Sequence, residues 1–422
     1  MKKLYFLLSL CVLYSCSKEI PATTDSNGVV TGRPHIWAKS ITDDGTLINT
    51  HFVQEIATYD NKLVVGARKN GQRILRLLDI NNGNTQWDWY DIIEERGYLV
   101  LEQPVIFDNK LIWQADYWNY CIDFNNGQTV WKNAFQENYD ILPTGLGDKF
   151  IGMYNYDRNS NRPVGGGSAA VFSKDNGKPY FQIQPIYDTT SAQPFELSHQ
   201  RGRVRFNKLF MQGTDTLLLL TFIDPPLYDY NYRQCLALYN LTKKQWVYDR
   251  ADMLGTSRNN TGHAPCIYQG KVYSAFVGTM VCNDLMTGKK LWQSDFDASD
   301  GFATTGLIVV EGKIYGNSDS GYMYCWNSET GQQLWRIRTS GTSSRLSSLN
   351  GVLYFTGSGD GKLHAIEAST GNYLWKLDSP DKAKNTSAVF TGLCAVISGK
   401  NGERGKVIVL TGLNAYCYEA ER

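Results

Sequence analysis

The chain has little of what most enzymes and metal sites are built from. Of 422 residues only five are histidine, at positions 35, 51, 199, 263 and 364. No two of them form a His-Glu-x-x-His pair, so zinc lacks a ligand set. Basic and acidic side chains nearly cancel, 42 against 41, with a formal charge of +1. There is no Lys/Arg stripe, which excludes a nucleic-acid partner. No long stretch has helical periodicity, and no apolar run reaches the roughly 20 residues of a membrane-spanning helix. The glycine-rich turns carry no catalytic spacing either. Residues 316–321 and 357–361 fall in hairpins with the wrong spacing for a serine-nucleophile elbow. Gly165, Gly166 and Gly167 follow no strand-to-helix pattern, which excludes a phosphate loop. No metal, cofactor or catalytic residue is expected.

What the chain does have is glycine (39), tyrosine (26) and tryptophan (11). Short runs of Val, Ile, Leu, Tyr and Phe alternate with Gly, Asn and Asp clusters, the pattern of many short strands joined by tight turns. The expectation is one large all-β domain. The amino terminus is a separate matter. Lys2 and Lys3 precede an apolar stretch over residues 4–14, too short to span a bilayer. It ends in Leu13, Tyr14, Ser15 and Cys16, which resembles the lipobox of bacterial lipoproteins. That resemblance implies a signal peptide over residues 1–16 and a lipid anchor at Cys16. Ser17 implies, by the commonest sorting rule of such lipoproteins, the outer membrane; its periplasmic face and the cell surface both stay open. Residues 17–33 are polar and read as a flexible tether, leaving 34–422 as the folded domain.

One unit repeats through that domain: a strand ending in Asp or a relative, then Asn-Gly or Thr-Gly, three residues, and Trp. Clear copies are Asp79, Gly83 and Trp87; Cys121, Asp123, Gly127 and Trp131; Cys282, Asp284, Gly288 and Trp292. Two more are Cys325, Asn327, Gly331 and Trp335, and Ala365, Glu367, Gly371 and Trp375. Degenerate copies end at Phe181 and at Trp246, the latter with a shorter turn in which Lys243 replaces the glycine. Glycine supplies the positive φ of a tight hairpin. The Trp lays a broad apolar plane between neighbouring sheets while its indole N–H seeks one acceptor. A period of roughly 40–50 residues matches one four-stranded propeller blade. The last repeat stops short of its fourth strand, and residues around Trp37 read like the missing one. Pairing the two would close a ring of eight blades; seven is the alternative if the irregular middle merges two repeats. The structural docking residues are therefore Trp37, Trp87, Trp131, Trp246, Trp292, Trp335 and Trp375.

This pattern resembles the tryptophan-docking repeat of the pyrroloquinoline-quinone-type propellers over nearly the whole domain. Quinone enzymes of that type carry a vicinal Cys-Cys pair, which this sequence lacks. Nine cysteines invite a disulfide reading, but Cys121, Cys282, Cys325 and Cys417 occupy the same repeat position in separate blades, beyond bridging reach. They read as small buried thiols. A bridge among Cys235, Cys266 and Cys394 stays open.

Long excursions are confined to residues 145–250. Tyr154, Tyr156, Arg158 and Arg162 fall in one second-to-third-strand turn, and Tyr228, Tyr230, Tyr232 and Arg233 in the next. His199 and Arg201 lie on the connector between these blades. All should emerge on one face, and Tyr and Arg suit recognition. Arg258, Asn259, Asn260 and His263 are further candidates at the channel mouth. An exported propeller lipoprotein resembles the BamB family of the outer-membrane β-barrel assembly machinery. That resemblance implies a non-catalytic scaffold whose partners are barrel-assembly subunits, touching the membrane through its lipid only. The alternatives are a cell-surface carbohydrate-binding propeller and, from the enzyme class, a polysaccharide lyase using a His or Tyr base beside an Arg.

Overall fold

The computed structural model describes residues 23–24, 26, 29–48, 56–92, 105–115, 118–134, 139–157, 169–183, 203–223, 232–257, 265–302, 306–341, 344–400 and 402–421. Their strands form eight antiparallel blades of four, one of which carries two further strands from the N-terminal segment. Blade 1 is Ile56–Tyr59, Lys62–Lys69, Gln72–Asp79 and Thr85–Trp89; blade 2 is Val105–Phe107, Lys110–Ala115, Trp118–Asp123 and Thr129–Ala134. Blade 3 is Tyr139–Leu146, Phe150–Asp157, Ala169–Ser173 and Pro179–Ile183; blade 4 is Arg203–Gln212, Asp215–Ile223, Tyr232–Asn240 and Gln245–Ser257. Blade 5 is Cys266–Tyr268, Lys271–Phe276, Thr279–Asp284 and Lys290–Asp295; blade 6 is Leu307–Val310, Lys313–Asn317, Tyr322–Asn327 and Gln333–Arg338. Blade 7 is Ser347–Leu349, Val352–Thr356, Leu363–Glu367 and Tyr373–Leu377. Blade 8 takes Thr391–Ile397, Lys406–Leu410 and Asn414–Glu419 from one end of the chain and Trp37–Ser40 from the other. Trp37 faces Cys417 across that last pairing. The fold is an eight-bladed propeller, and seven blades is excluded. First strands meet between blades 2 and 3, 3 and 4, and 5 and 6, and that of blade 8 touches those of both blade 7 and blade 1. The ring is closed.

Burial explains the two kinds of apolar run. Second and third strands are covered on both sides, so Val352–Thr356 is buried throughout. Fourth strands alternate between half-buried and exposed, as in Gln333–Arg338. One side docks on the next blade and the other meets solvent.

Docking follows one rule in five blades. The indole N–H donates to the carbonyl just beyond the third strand of the next blade: Trp37 to Ile80 at 2.8 Å, Trp87 to Phe124 at 3.0 Å and Trp131 to Lys174 at 3.0 Å. Trp292 reaches Ser328 at 3.1 Å and Trp335 reaches Ala368 at 3.2 Å. The turn glycine has a second duty here. Gly331 sits at φ +72°, and a Cβ on it would lie 2.6 Å from the Trp292 ring. The missing side chain makes the socket for the preceding blade's indole.

Three blades depart from the rule. In blade 4 the cross-blade bond comes from Tyr248, whose hydroxyl donates to the Leu285 carbonyl at 3.2 Å. Trp246, expected to dock, instead lies edge-on against Tyr239 of its own blade at 5.1 Å. The shorter turn, with Lys244 at φ 55°, starts the fourth strand early. Irregular register between Leu236 and Tyr239 then brings Tyr248 to the socket. In blade 7 the Trp375 indole bonds the Glu421 carboxylate at 3.0 Å. Phe181, the Phe-for-Trp copy, stacks on Tyr239 of blade 4 with centroids 5.2 Å apart.

The stretch read as tether is partly folded. Val30–Gly32 lies beside the outer strand of blade 7, and Thr23–Thr24 pairs back onto it. Cys16 and its signal segment lie outside the described residues.

Candidate functional site

The eight blades share one face, where second strands turn into third strands and fourth strands leave for the next blade. On blades 1 and 5 the turn is minimal, with Lys69 pairing Gln72 and Phe276 pairing Thr279 across it. Blades 3 and 4 differ in two ways. Their turns are long, running from Asp157 to Ala169 and from Ile223 to Tyr232. The first strand of blade 3 and all four strands of blade 4 are long too. The fourth strand of blade 4 has 13 residues where that of blade 6 has 6. At about 3.3 Å per residue, that is roughly 20 Å of extra strand. Because the docking end is held by the Tyr248 contact, the excess rises on the excursion face.

The structure therefore places several candidates differently from the sequence reading. Tyr154 and Tyr156 belong to the second strand of blade 3, opposite Leu142 and Asp140. Tyr232 and Arg233 open the third strand of blade 4, opposite Ser257 and Thr256. Arg158, Arg162, His199, Arg201, Tyr228 and Tyr230 lie outside the described residues, as do Arg258, Asn259, Asn260 and His263. The described strands on either side of these segments end on one face of the adjacent blades 3 and 4.

Another recognition-type cluster on this face was missed. Tyr322 begins the third strand of blade 6 and pairs with Arg338, which ends the fourth. The guanidiniums of Arg336 and Arg338 lie 3.6 and 4.9 Å from the Tyr322 ring centre. Asp297, on the connector from blade 5, bonds Arg336 at 3.3 Å. Hydrogen bonds from the hydroxyl and backbone N–H of Ser299, with Arg336 beside it, hold the Asp297 carboxyl below its usual range. Laying Tyr322 and Tyr324 against Arg338 and Arg336 in hairpin register would have revealed the cluster from sequence.

Side chains that suggest catalysis are engaged in packing. Ser318 is fully buried, and its hydroxyl accepts the Tyr322 N–H. His364 is 1% exposed, stacked on Phe355 at 4.6 Å, with Nε2 3.1 Å from Asp360. Seven described cysteines are free, Cys235, Cys266 and Cys394 among them. Burial pushes the thiols of Cys121, Cys282, Cys325 and Cys417 up to about 12, which makes them inert. Among the described residues no three His, Cys, Asp or Glu side chains gather as metal ligands. No described helix is long and apolar enough to cross a membrane.

Comparison with known proteins agrees with the fold. A family model described as the outer membrane protein assembly factor BamB matches residues 278–415, from the third strand of blade 5 to the third strand of blade 8. The outer membrane protein assembly factor BamB of Yersinia pestis is 28% identical over 149 residues, 32% of this chain and 37% of that protein. The chain thus spans little more than a third of the curated relative it matches. The quinohemoprotein alcohol dehydrogenase of Comamonas testosteroni superposes with a TM-score of 0.64 at 12% identity, covering 92% of this chain and 77% of the other. A computationally designed protein, Ika8, superposes with a TM-score of 0.58 at 15% identity, covering 90% and 99%. The chain resembles BamB in sequence over part of its length and is an eight-bladed propeller in fold; the two superpositions speak to fold alone.

Proposed function

We propose that this chain is a non-catalytic scaffold, held on the outer membrane by a lipid at Cys16, that binds protein partners in outer-membrane protein assembly. The observation that carries the reading is the match of residues 278–415 to the assembly-factor model. The long turns of blades 3 and 4 and the tall strands of blade 4 support it, since they give an otherwise regular disc one projecting side. Tyr, Arg and Asn crowd the segments that leave those blades, and broad planar side chains of this kind anchor protein interfaces at modest entropic cost. The partners are subunits of the barrel-assembly machinery, and the disc touches the bilayer only through its anchor. Burial of Ser318 and His364 keeps these two side chains from serving as a nucleophile or base on a substrate.

Photo-crosslinking amino acids placed at Tyr156 and Tyr232 in cells test this reading. Crosslinks from both to a barrel-assembly subunit, with none from Lys290 on blade 5, are the expected result. Absence of any protein adduct, together with retention of the purified chain on a glycan array, would replace the scaffold with a carbohydrate-binding propeller.

A further inference from the structure

The residue before each docking aromatic points away from the next blade. Ile36, Val130, Tyr180, Leu291 and Leu334 occupy this position and are between 44% and 53% exposed. Blade 7 differs. Its Leu374 packs with Val30 against the core, and Trp375 is only 1% exposed. The cover is the N-terminal segment itself. Val30–Gly32 lies along the blade's outer strand, bridged in parallel at Trp375, and Thr23–Thr24 folds back on it. Arg33 then ties the segment to the other end of the chain. Its Nη1 is 2.6 Å from Glu421 Oε2, and its guanidinium lies over the Trp375 ring at 5.4 Å. The same Oε2 accepts the Trp375 indole, where most blades use a carbonyl.

We propose that this strap sets how the disc meets the lipid surface: the rim of blade 7 is apposed to the membrane, and the opposite rim at blade 3 points away. The inference rests on the lipid-anchor reading of Cys16. A free tether from Cys16 to residue 34 could extend about 60 Å and leave the disc unoriented. With Thr23–Thr24 and Val30–Gly32 strapped down, only the seven peptide steps from Cys16 to Thr23 remain, about 25 Å at full stretch. Blade 3 stands four places from blade 7 in a ring of eight. The excursions of blades 3 and 4 then begin on the half of the disc far from lipid, open to a protein partner.

The test uses the full mature chain coupled through Cys16 to a maleimide lipid in phosphatidylethanolamine and phosphatidylglycerol vesicles containing an acceptor-labelled lipid. A fluorophore is placed by a non-thiol route at Asn372 or at Lys178, the equivalent exposed positions after the turn glycines of blades 7 and 3. Energy transfer several-fold stronger from Asn372 than from Lys178 is expected. Replacing Val30→Gly and Arg33→Ala together should bring the two toward equality. Equal transfer from both positions in the unaltered chain would overturn the proposal, whatever the variant does. The mass of the N-terminal peptide from cells separately tests the anchor: an unacylated Cys16 sinks that reading, while the vesicle comparison still judges the strap.

Discussion

At the scale of single residues, two glycines of the same conformation separate the two demands on a propeller turn. Gly331 at φ +72° has the Trp292 ring 2.6 Å from where a Cβ would stand, whereas Gly351 at φ +77° has nothing within 4 Å. Gly351→Ala should cost about 1 kcal/mol, the left-handed penalty alone. Gly331→Ala adds the lost socket and should cost about 3 kcal/mol, comparable with cavity or overpacking changes in a core. Urea denaturation of both variants measures the gap; equal midpoints would show that the indole does not fill the socket. Asp360 makes a pH-dependent prediction. Burial works against its charge, but the His364 hydrogen bond and charge, with hydrogen bonds from the Lys362 N–H and Ser340, together outweigh it, so its pKa lies below the ordinary value of 3.8. Its contribution is complete above that value and is lost as pH falls through the lowered one. Asp360→Asn should therefore be less stable than the parent at neutral pH, with the difference closing below about pH 4. Unfolding midpoints measured from pH 7 to pH 3 check the direction.

At the scale of elements, the five regular copies of the repeat were legible because their chemistry is local. Asp284, for example, accepts the backbone N–H groups of Met286 and Thr287 within its own turn. Blade 4 was misread for the same reason. Its turn has no glycine, and the residue that fills the socket is fixed by register irregularities that leave no mark on the sequence. The consequence is measurable. Tyr248→Ala should destabilise by about 3 kcal/mol, and Trp246→Ala, at a half-exposed place, by about 1 kcal/mol. The opposite ranking in thermal melts would restore Trp246 as the docking residue. The strap was hidden because Val30–Gly32 is a three-residue strand in a polar, glycine-containing stretch, held by long-range partners. Only Trp375 and Glu421, far along the chain, give it a place.

At the scale of the whole molecule, architecture was far more legible than function. Repetition announces a ring whatever the ring is used for. The blade count turned on whether the irregular middle holds one repeat or two, and the separate four-stranded sheets of blades 3 and 4 answer that; closure turned on Trp37–Ser40, whose pairing with Asn414–Glu419 completes blade 8. The proposed recognition surface was legible only as two interruptions of the repeat. Their strands place them on one face, while the spacing that reveals blades carries no information about what the loops grip. The proposed scaffold depends on a closed disc that joins the amino-terminal segment to the last blade. Amide hydrogen exchange over residues 36–41 tests this most directly, since Ile36 and Ile41 donate to Cys417 and Leu413 at 2.7 and 2.9 Å. Protection equal to that of the Asn414–Glu419 strand is predicted. Exchange as fast as that of a free polar tether would contradict the closure.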